Sequence, residues 1–329
     1  VTTGIRNTIL GGVAGDAITT GSNNIAIGYQ ALTTEDTGNK SIAIGDSTLS
    51  NQNYDGDAHN IAIGHNAGEN VSTGVQNILI GGLAGDALTT GGNNVAIGYL
   101  ALSTENAHGN NIAIGAGALL NQDAGADAFN VAVGHNAGLT ITTGTQNTLI
   151  GGLAGDAITA GTFNVAVGHE ALSTEDTGTR SVAIGWRALK LQNYNGEAFN
   201  IAIGHNTGAS VTTGIRNTLI GGLAGDALTT GGDNVAIGYD ALSAEDDHGF
   251  NVAVGRSALG SQNAGTNAYN VAIGYNAGYS VSTGVRNVLL GGHAGDNITT
   301  GTYNIAIGYH ALGTEDAHGK NIAIGDLAL

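Results

Sequence analysis

The chain has 329 residues, including 57 glycines and no proline or cysteine, and its 26 acidic against 9 basic side chains give a formal net charge of −17. The absence of cysteine excludes disulfides and thiolate metal sites. The negative charge argues against nucleic acid or an anionic membrane surface as a partner. No apolar run approaches the roughly 18 residues that span a bilayer, so we expect no membrane insertion within this segment.

A five-residue block ending in glycine, such as NVAIG at 94–98, recurs along the whole sequence. Its last residue, the marker glycine, lies at 11, 28, 45, 64, 81, 98, 115, 134, 151, 168, 185, 204, 221, 238, 255, 274, 291, 308 and 325. Successive markers are 17, 17, 19 and 17 residues apart, and this order repeats without exception. The 19 turns therefore form a 70-residue super-repeat. We expect residues 1–329 to be one continuous repeat array and, since methionine is absent, a segment of a longer fibre.

In chain order, the first blocks are NTILG (7–11), NIAIG (24–28), SIAIG (41–45), NIAIG (60–64) and NILIG (77–81). Their apolar residues alternate with smaller or polar ones, which is the period-two pattern of a β-strand. Segments such as ENVSTG (69–74) predict a second short strand in each turn, again ended by glycine. A helical repeat tolerates far fewer glycines. The sequence therefore predicts an all-β fold, a β-solenoid of 19 turns.

The first residue of each block is asparagine in 17 turns and serine in two, Ser41 and Ser181. Stacked turns bring these residues into line, so we predict a ladder in which side-chain amides bond to the turns above and below.

The middle residue of each block is alanine in 14 turns and isoleucine or leucine in the other five. If the Ile and Val residues on either side of it fill the coil, the middle residue faces outward. No turn carries a charge there, and a small apolar stripe on the outside implies close approach by another chain. The predicted interchain face comprises Ile9, Ala26, Ala43, Ala62, Leu79, Ala96, Ala113, Ala132, Leu149, Ala166, Ala183, Ala202, Leu219, Ala236, Ala253, Ala272, Leu289, Ala306 and Ala323.

The block pattern N-[IV]-A-[IV]-G-x-x-A, seen as IAIGYQAL at 25–32, resembles the YadA-like head repeats of trimeric autotransporter adhesins. It also resembles the repeat shafts of phage and bacterial tail-fibre proteins. This resemblance covers the whole chain and implies a left-handed parallel β-roll assembled as a parallel homotrimer. It further implies an extracellular position on a cell surface or virion tail, and attachment to a host or cell-surface receptor. The turns of 17 and 19 residues are longer than the autotransporter-head unit.

Acidic pairs recur at one place in the super-repeat: Glu35–Asp36, Glu175–Asp176, Glu245–Asp246 and Glu315–Asp316, with Glu105–Asn106 in the remaining copy. A catalytic pair needs one pocket, which a residue repeated along an array does not provide. We interpret these pairs as exposed turn acids, with weak Ca²⁺ binding as the alternative. The sequence therefore predicts no enzyme and no resident cofactor.

Two further motifs have metal-binding alternatives. GGLAGDAL at 81–88 is similar to the Ca²⁺-binding GGxGxDxU nonapeptide, but alanine replaces its fourth residue. We attribute its glycines to a backbone turn. His65, His135 and His205 share one position with Tyr275, which argues against an obligatory ligand there. A ring of three histidines on a trimer axis remains the alternative.

Exposed aromatic residues are the predicted points of glycan contact: Tyr29, Tyr54, Tyr99, Phe129, Tyr194, Phe199, Tyr239, Tyr269 and Tyr309. The competing interpretation is that these rings only pack against the solenoid and bind nothing. The leading functional hypothesis is a structural and adhesive fibre shaft. The alternative is a ligand-binding solenoid that presents repeated aromatics to glycans, or threonine pairs such as Thr89–Thr90 to ice.

Overall fold

The computed structural model describes residues 1–314 and 316–329, so Glu315 of the last predicted acidic pair lies outside the described residues. Over the described residues the chain is a parallel β-solenoid of 19 strands, each three residues long, without any helix. None of the described residues therefore belongs to a helix that could cross a membrane. The chain divides into two compact units, Val1–Asn164 and Val165–Leu329.

The strands of the first unit are β1 (Thr8–Leu10), β2 (Ile25–Ile27), β3 (Ile42–Ile44), β4 (Ile61–Ile63), β5 (Ile78–Ile80), β6 (Val95–Ile97), β7 (Ile112–Ile114), β8 (Val131–Val133) and β9 (Thr148–Ile150). Those of the second are β10 (Val165–Val167), β11 (Val182–Ile184), β12 (Ile201–Ile203), β13 (Thr218–Ile220), β14 (Val235–Ile237), β15 (Val252–Val254), β16 (Val271–Ile273), β17 (Val288–Leu290), β18 (Ile305–Ile307) and β19 (Ile322–Ile324). Within each unit every strand pairs in parallel with the next, and equivalent residues face one another, as Ile25 faces Ile42.

Each turn has one strand where the sequence predicts two. The predicted second segments, such as 69–74, form turns and bends. The amides of Ser72 and Gly74 both donate to the carbonyl oxygen of Thr89, at 2.9 and 3.1 Å. Because these donors converge on one acceptor, they do not form the evenly spaced ladder of a parallel sheet. The prediction of a second strand is therefore wrong, although these segments do stack from turn to turn.

The marker glycines fix the closest approach between turns. All 19 have φ between +126° and +143°, a conformation that L side chains rarely adopt. A Cβ built on Gly81 would lie 2.5 Å from the carbonyl oxygen of Gly98. Any larger residue would thus clash with the backbone of the next turn.

The block-opening asparagines form the predicted ladder, but they bond chiefly to backbone groups. The Oδ1 of Asn77 accepts the backbone amide of Asn94 at 3.0 Å, and its Nδ2 donates to the carbonyl of Gly91 at 2.9 Å. Both asparagines are fully buried. The ladder therefore supplies the hydrogen bonds that these buried amides require.

The direction of the asparagine side chain determines which residues of the block face inward. Side chains alternate along a strand, so the residue two positions after an inward asparagine also faces inward. That residue is the middle one, and Ala96 is accordingly fully buried while Val95 and Ile97 are partly exposed. The prediction that the middle residues form an outward interchain face is therefore wrong. The Ile and Val residues on either side, which were expected to fill the coil, point outward instead.

This correction applies to the whole predicted face: Ile9 pairs in register with Ala26 on the same side of the strand, although it is 38% exposed, and all the other members are buried. The buried members are Ala26, Ala43, Ala62, Leu79, Ala96, Ala113, Ala132, Leu149, Ala166, Ala183, Ala202, Leu219, Ala236, Ala253, Ala272, Leu289, Ala306 and Ala323.

Alanine is needed at the middle position because the interior is narrow. In the turn of Ala96, the corner four residues after the marker carries a fully buried leucine, Leu102. Where the strand centre is Leu79, the corner residue is glycine in its own turn (Gly85) and in the preceding turn (Gly68): a Cβ on either would lie 2.7 or 2.6 Å from a methyl of Leu79. A leucine at the strand centre therefore takes the space that a leucine at the corner fills in the turn of Ala96.

We predict that L219A leaves a cavity, because Leu219 is fully buried at such a strand centre. The substitution is expected to lower the free energy of local opening by about 2–5 kcal/mol. Hydrogen exchange of the β12–β14 amides measures this quantity. The matched control is L223A, which removes the same atoms from a half-buried site in the same turn. Equal effects of the two variants would contradict the assigned orientation.

Candidate binding surface

The outward side of the strands forms an apolar face in each unit. It consists of the first and third residue of every strand, and all of these are isoleucine, valine or leucine except Thr8, Thr148 and Thr218. Most are partly exposed, to 44% at Ile273 and 39% at Ile150, and exposure reaches 67% at Leu10 and Ile324 in the first and last strands. No charged residue occurs among them. Exposed apolar surface that is continuous over successive strands is typical of interaction sites.

One side of the apolar face is bordered by the residue before each block-opening Asn or Ser, which we call the edge ladder. Its members are Arg6, Asn23, Lys40, His59, Gln76, Asn93, Asn110, Phe129, Gln146, Phe163, Arg180, Phe199, Arg216, Asp233, Phe250, Tyr269, Arg286, Tyr303 and Lys320. All have left-handed backbone with φ between +51° and +65°. The edge ladder contains six of the nine Lys and Arg residues and all four phenylalanines.

The backbone does not explain the aromatic residues of the edge ladder. Asparagine and glycine adopt left-handed φ more readily than bulky side chains do. The phenylalanines nevertheless occupy these positions with exposures of 42% at Phe250 to 54% at Phe129. None of the four therefore contributes to the core, which leaves a role at the surface.

Contacts within the edge ladder join rings and cations from successive turns. Phe250 stacks on Tyr269 with ring centroids 5.0 Å apart. The guanidinium of Arg286 lies 5.8 Å from the ring of Tyr269 and 5.4 Å from that of Tyr303. Such cation–π contacts hold rings in fixed orientations at the surface. The predicted glycan residues Phe129, Phe199 and Tyr269 all belong to this ladder.

The other predicted tyrosines lie on the opposite side of the apolar face, directly after the marker glycine. Tyr29, Tyr99, Tyr239 and Tyr309 are 52–58% exposed. Each ring lies over a glycine of the preceding turn: a Cβ on Gly82 would be 3.5 Å from Tyr99 Cδ2. The structure thus separates the predicted residues into two exposed rows instead of one site.

Tyr54 and Tyr194 belong to neither row. They are partly exposed within the 19-residue turns, and a Cβ on Gly56 would lie 3.0 Å from Tyr54 Cε1. Each ring covers the backbone of its own turn, an arrangement that favours a structural role.

The glutamates of the acidic pairs are inside the coil. Glu35, Glu105, Glu175 and Glu245 are fully buried, so the prediction that they are exposed is wrong. Aligning turns at the marker glycine puts Glu35 level with Ile18 in the turn before and Gln52 in the turn after, and both are buried. That alignment was the sequence signal that could have identified the glutamates as interior residues.

Two of these glutamates have complete sets of donors. Glu175 Oε1 accepts the Gly178 amide at 2.7 Å, while Oε2 accepts Gln192 Nε2 at 2.9 Å and the Tyr194 amide at 3.3 Å. Glu35 has the same arrangement with Gly38, Gln52 and Tyr54. Burial nevertheless raises the pKa of the Glu175 carboxyl above its ordinary value.

The other two glutamates are only half satisfied. Glu245 Oε1 accepts the His248 amide at 3.2 Å, but Oε2 has no hydrogen-bond partner among the described residues, and neither has Gln262 Nε2. His248 Nδ1 lies 3.6 Å from Glu245 Oε1. Burial raises the pKa of the Glu245 carboxyl. Glu245, Asp246 and His248 each offer one atom that could bind a metal, and these atoms lie within 4.8 Å of one another. The same is true of Glu105, His108 and Asp123. The Oε1 atoms of Glu105 and Glu245 already accept hydrogen bonds from turn amides, which indicates a structural role for both residues.

Threonine hydroxyls at the predicted ice-binding pairs are engaged in stacking. Thr89 Oγ1 donates to the carbonyl of Asn106 at 2.9 Å, and Thr229 Oγ1 donates to that of Asp246 at 3.1 Å. These bonds favour a role in holding turns together over a lattice that faces water.

Comparison with known proteins adds no assignment: no protein-family model, curated protein or solved structure matches this chain. The similarity to adhesin and tail-fibre repeats therefore stays a prediction.

Substituting the two kinds of glutamate is expected to have different effects, although burial raises the pKa of both carboxyls and each substitution removes a buried charge. E175Q also places an amide group among three donors, so it should lower the free energy of unfolding by about 1–3 kcal/mol relative to E245Q. E245Q removes a buried charge whose Oε2 has no donor, so stability at pH 7 should be unchanged or higher. Denaturation in urea measures both.

The pH dependence provides the control. The raised pKa of Glu245 means that the folded state takes up a proton before the unfolded state does, so acidification through that pKa stabilises the wild type. Any advantage of E245Q should therefore shrink as pH falls towards 4.5, the ordinary value. A larger loss in E245Q than in E175Q at pH 7 would contradict the hydrogen-bond assignment.

Proposed function

We propose that the chain is a non-enzymatic structural and adhesive fibre shaft that assembles from parallel copies of itself. The observation that carries this proposal is the apolar face, where the first and third strand residues, all large and apolar except three threonines, are at least partly exposed. Burial of apolar surface contributes roughly 25 cal/mol per Å², so covering this face is favourable.

A second copy of the chain is the partner that the periodicity favours. The apolar face repeats with every strand, in the same register from each strand to the next. Only a surface with the same repeat can pack against it turn after turn, and another copy in parallel has that repeat. The resemblance to trimeric adhesin repeats adds the expected number of copies, three.

The burial of the glutamates supports a non-enzymatic role. The recurring carboxylates that a hydrolase could use lie inside the coil, where Glu35 and Glu175 bond to backbone amides and to a glutamine. They are held as acceptors for the turn.

Attachment to a host or cell-surface receptor, including a glycan, is the adhesive part of the proposal. It places the chain outside the cell, on a cell surface or a virion tail. The edge ladder supports it, because exposed rings held by neighbouring cations offer flat surfaces for sugar rings. The same feature favours the second candidate function, a glycan-binding solenoid without a shaft role.

Charges on the apolar face should prevent assembly without unfolding the chain. We expect I97D/I237D to weaken self-association at least about tenfold, since an unpaired charge is costly to bury, while the far-UV circular dichroism stays unchanged. Sedimentation over a range of concentrations measures this. The control is N23D/N93D on the edge ladder, where the equivalent position 233 already carries aspartate. If both variants associate like the wild type, the apolar face is not the interface.

Glycan attachment can be tested on the edge ladder alone. F199N/F250N installs the residue that the edge ladder holds in other turns, at Asn93 and Asn110, and asparagine also suits left-handed backbone. We expect stability to be retained and retention on a glycan array to be lost. The control Y54N/Y194N alters rings that cover their own turns. Array binding that survives F199N/F250N would remove these residues from the adhesive site.

A further inference from the structure

The fifth super-repeat departs from the others at two neighbouring positions. His293 replaces the leucine found at Leu83, Leu153 and Leu223, and His310 is the only histidine at a position that elsewhere holds Gln30, Leu100, Glu170 and Asp240. The residue between them in space, Asp296, is shared with the other copies as Asp16, Asp86, Asp156 and Asp226. A pair of histidines has therefore been added around an aspartate that the repeat already contains.

The geometry of the three side chains is that of converging ligands. His293 Nδ1 lies 2.9 Å from Asp296 Oδ2, and His310 Nδ1 lies 3.8 Å from Asp296 Oδ1. The two imidazoles stack with centroids 4.7 Å apart and planes at 11°. One ligand atom from each residue falls within a 4.8 Å cluster. Asp296 Oδ1 is buried and has no hydrogen-bond partner among the described residues.

The surroundings hold both rings in place while leaving them reachable. The side chains of His293, Asp296 and His310 are 25%, 16% and 33% exposed. Tyr309 meets both imidazoles edge-on, at 6.0 and 4.7 Å, and Tyr275 contacts His293 at 5.1 Å. Fixed but accessible imidazoles lose little conformational entropy when they bind an ion.

We propose that His293, Asp296 and His310 bind a divalent transition-metal ion of the Zn²⁺ class, with water completing the coordination. Ligands at about 2.0–2.2 Å from a tetrahedral zinc lie about 3.3–3.5 Å from one another. The separations of 2.9 Å from His293 Nδ1 to Asp296 Oδ2 and 3.8 Å from His310 Nδ1 to Asp296 Oδ1 bracket that distance, and one ligand atom from each of the three residues lies within 4.8 Å of the others. Two imidazoles and one carboxylate favour zinc, copper or nickel over calcium or magnesium, which prefer oxygen ligands.

The test is isothermal titration of the full chain with ZnCl₂. One ion per chain is expected in the wild type, and H293L/H310L should lose this binding. Both leucines occur at the equivalent positions 83 and 100, so the variant retains a side-chain set native to the repeat. The control H135Y changes a histidine outside the cluster to the tyrosine found at the equivalent Tyr275 and should keep one ion per chain.

A gain-of-site variant separates a defined site from general binding to surface histidines. L223H/D240H places two histidines around Asp226 in the fourth super-repeat, and we expect it to raise the stoichiometry to two ions per chain. The proposal is overturned if the wild type takes up no zinc, or if H293L/H310L binds zinc as the wild type does. An unchanged stoichiometry in L223H/D240H would also contradict it, because the three ligands would then be insufficient.

Discussion

The close approach of successive turns at the marker glycine is the constraint on which the rest of the structure depends. A side chain there would collide with the next turn's backbone, as at Gly81 against Gly98, and the backbone itself requires a φ that other residues avoid. Because this contact is the same in every turn, strands stay in register even where a turn has 19 residues. Ile42 still faces Ile61 across such a turn, and its additional residues lie in the partly exposed bulge at 53–57.

A narrow interior follows from this close stacking, and it reverses the usual distribution of side chains. Buried positions hold alanine, aliphatic residues such as Leu79 and Leu102, and polar groups that find partners in the next turn, such as Asn77 and Glu175. The isoleucine and valine residues at the first and third positions of the strands lie on the outer surface. The apolar face is thus a consequence of the same constraint, and the proposed self-association rests on it.

The sequence alone was sufficient for the fold class and the turn boundaries, because a glycine required in every turn leaves an unbroken period. It misled on orientation. A period-two pattern shows that Ala96 and Val95 face opposite sides but not which side is inside, and the usual preference for large apolar cores gave the wrong answer. The inward asparagine, whose amide needs buried partners, decides the question once its hydrogen bonds are known.

The same limit applies to the candidate sites. The repeated glutamates look like surface acids until the turns are aligned, when Glu35 falls level with Ile18 and Gln52. The cluster of His293, Asp296 and His310 was not predictable from spacing, since its members come from two turns and meet only through the stack. The edge ladder was partly anticipated through Phe129, Phe199 and Tyr269, but its left-handed backbone, which makes the aromatics unexpected there, is visible only in the structure.

In the proposed assembly, copies of the same chain cover the apolar face. The most direct test is the native mass of the unmodified protein by light scattering, compared with the 32.5 kDa of one chain. We predict a multiple of that mass, with three chains as the expected number, maintained on dilution. A mass of one chain at all concentrations would contradict the account, because the face would then be stable in water without a partner.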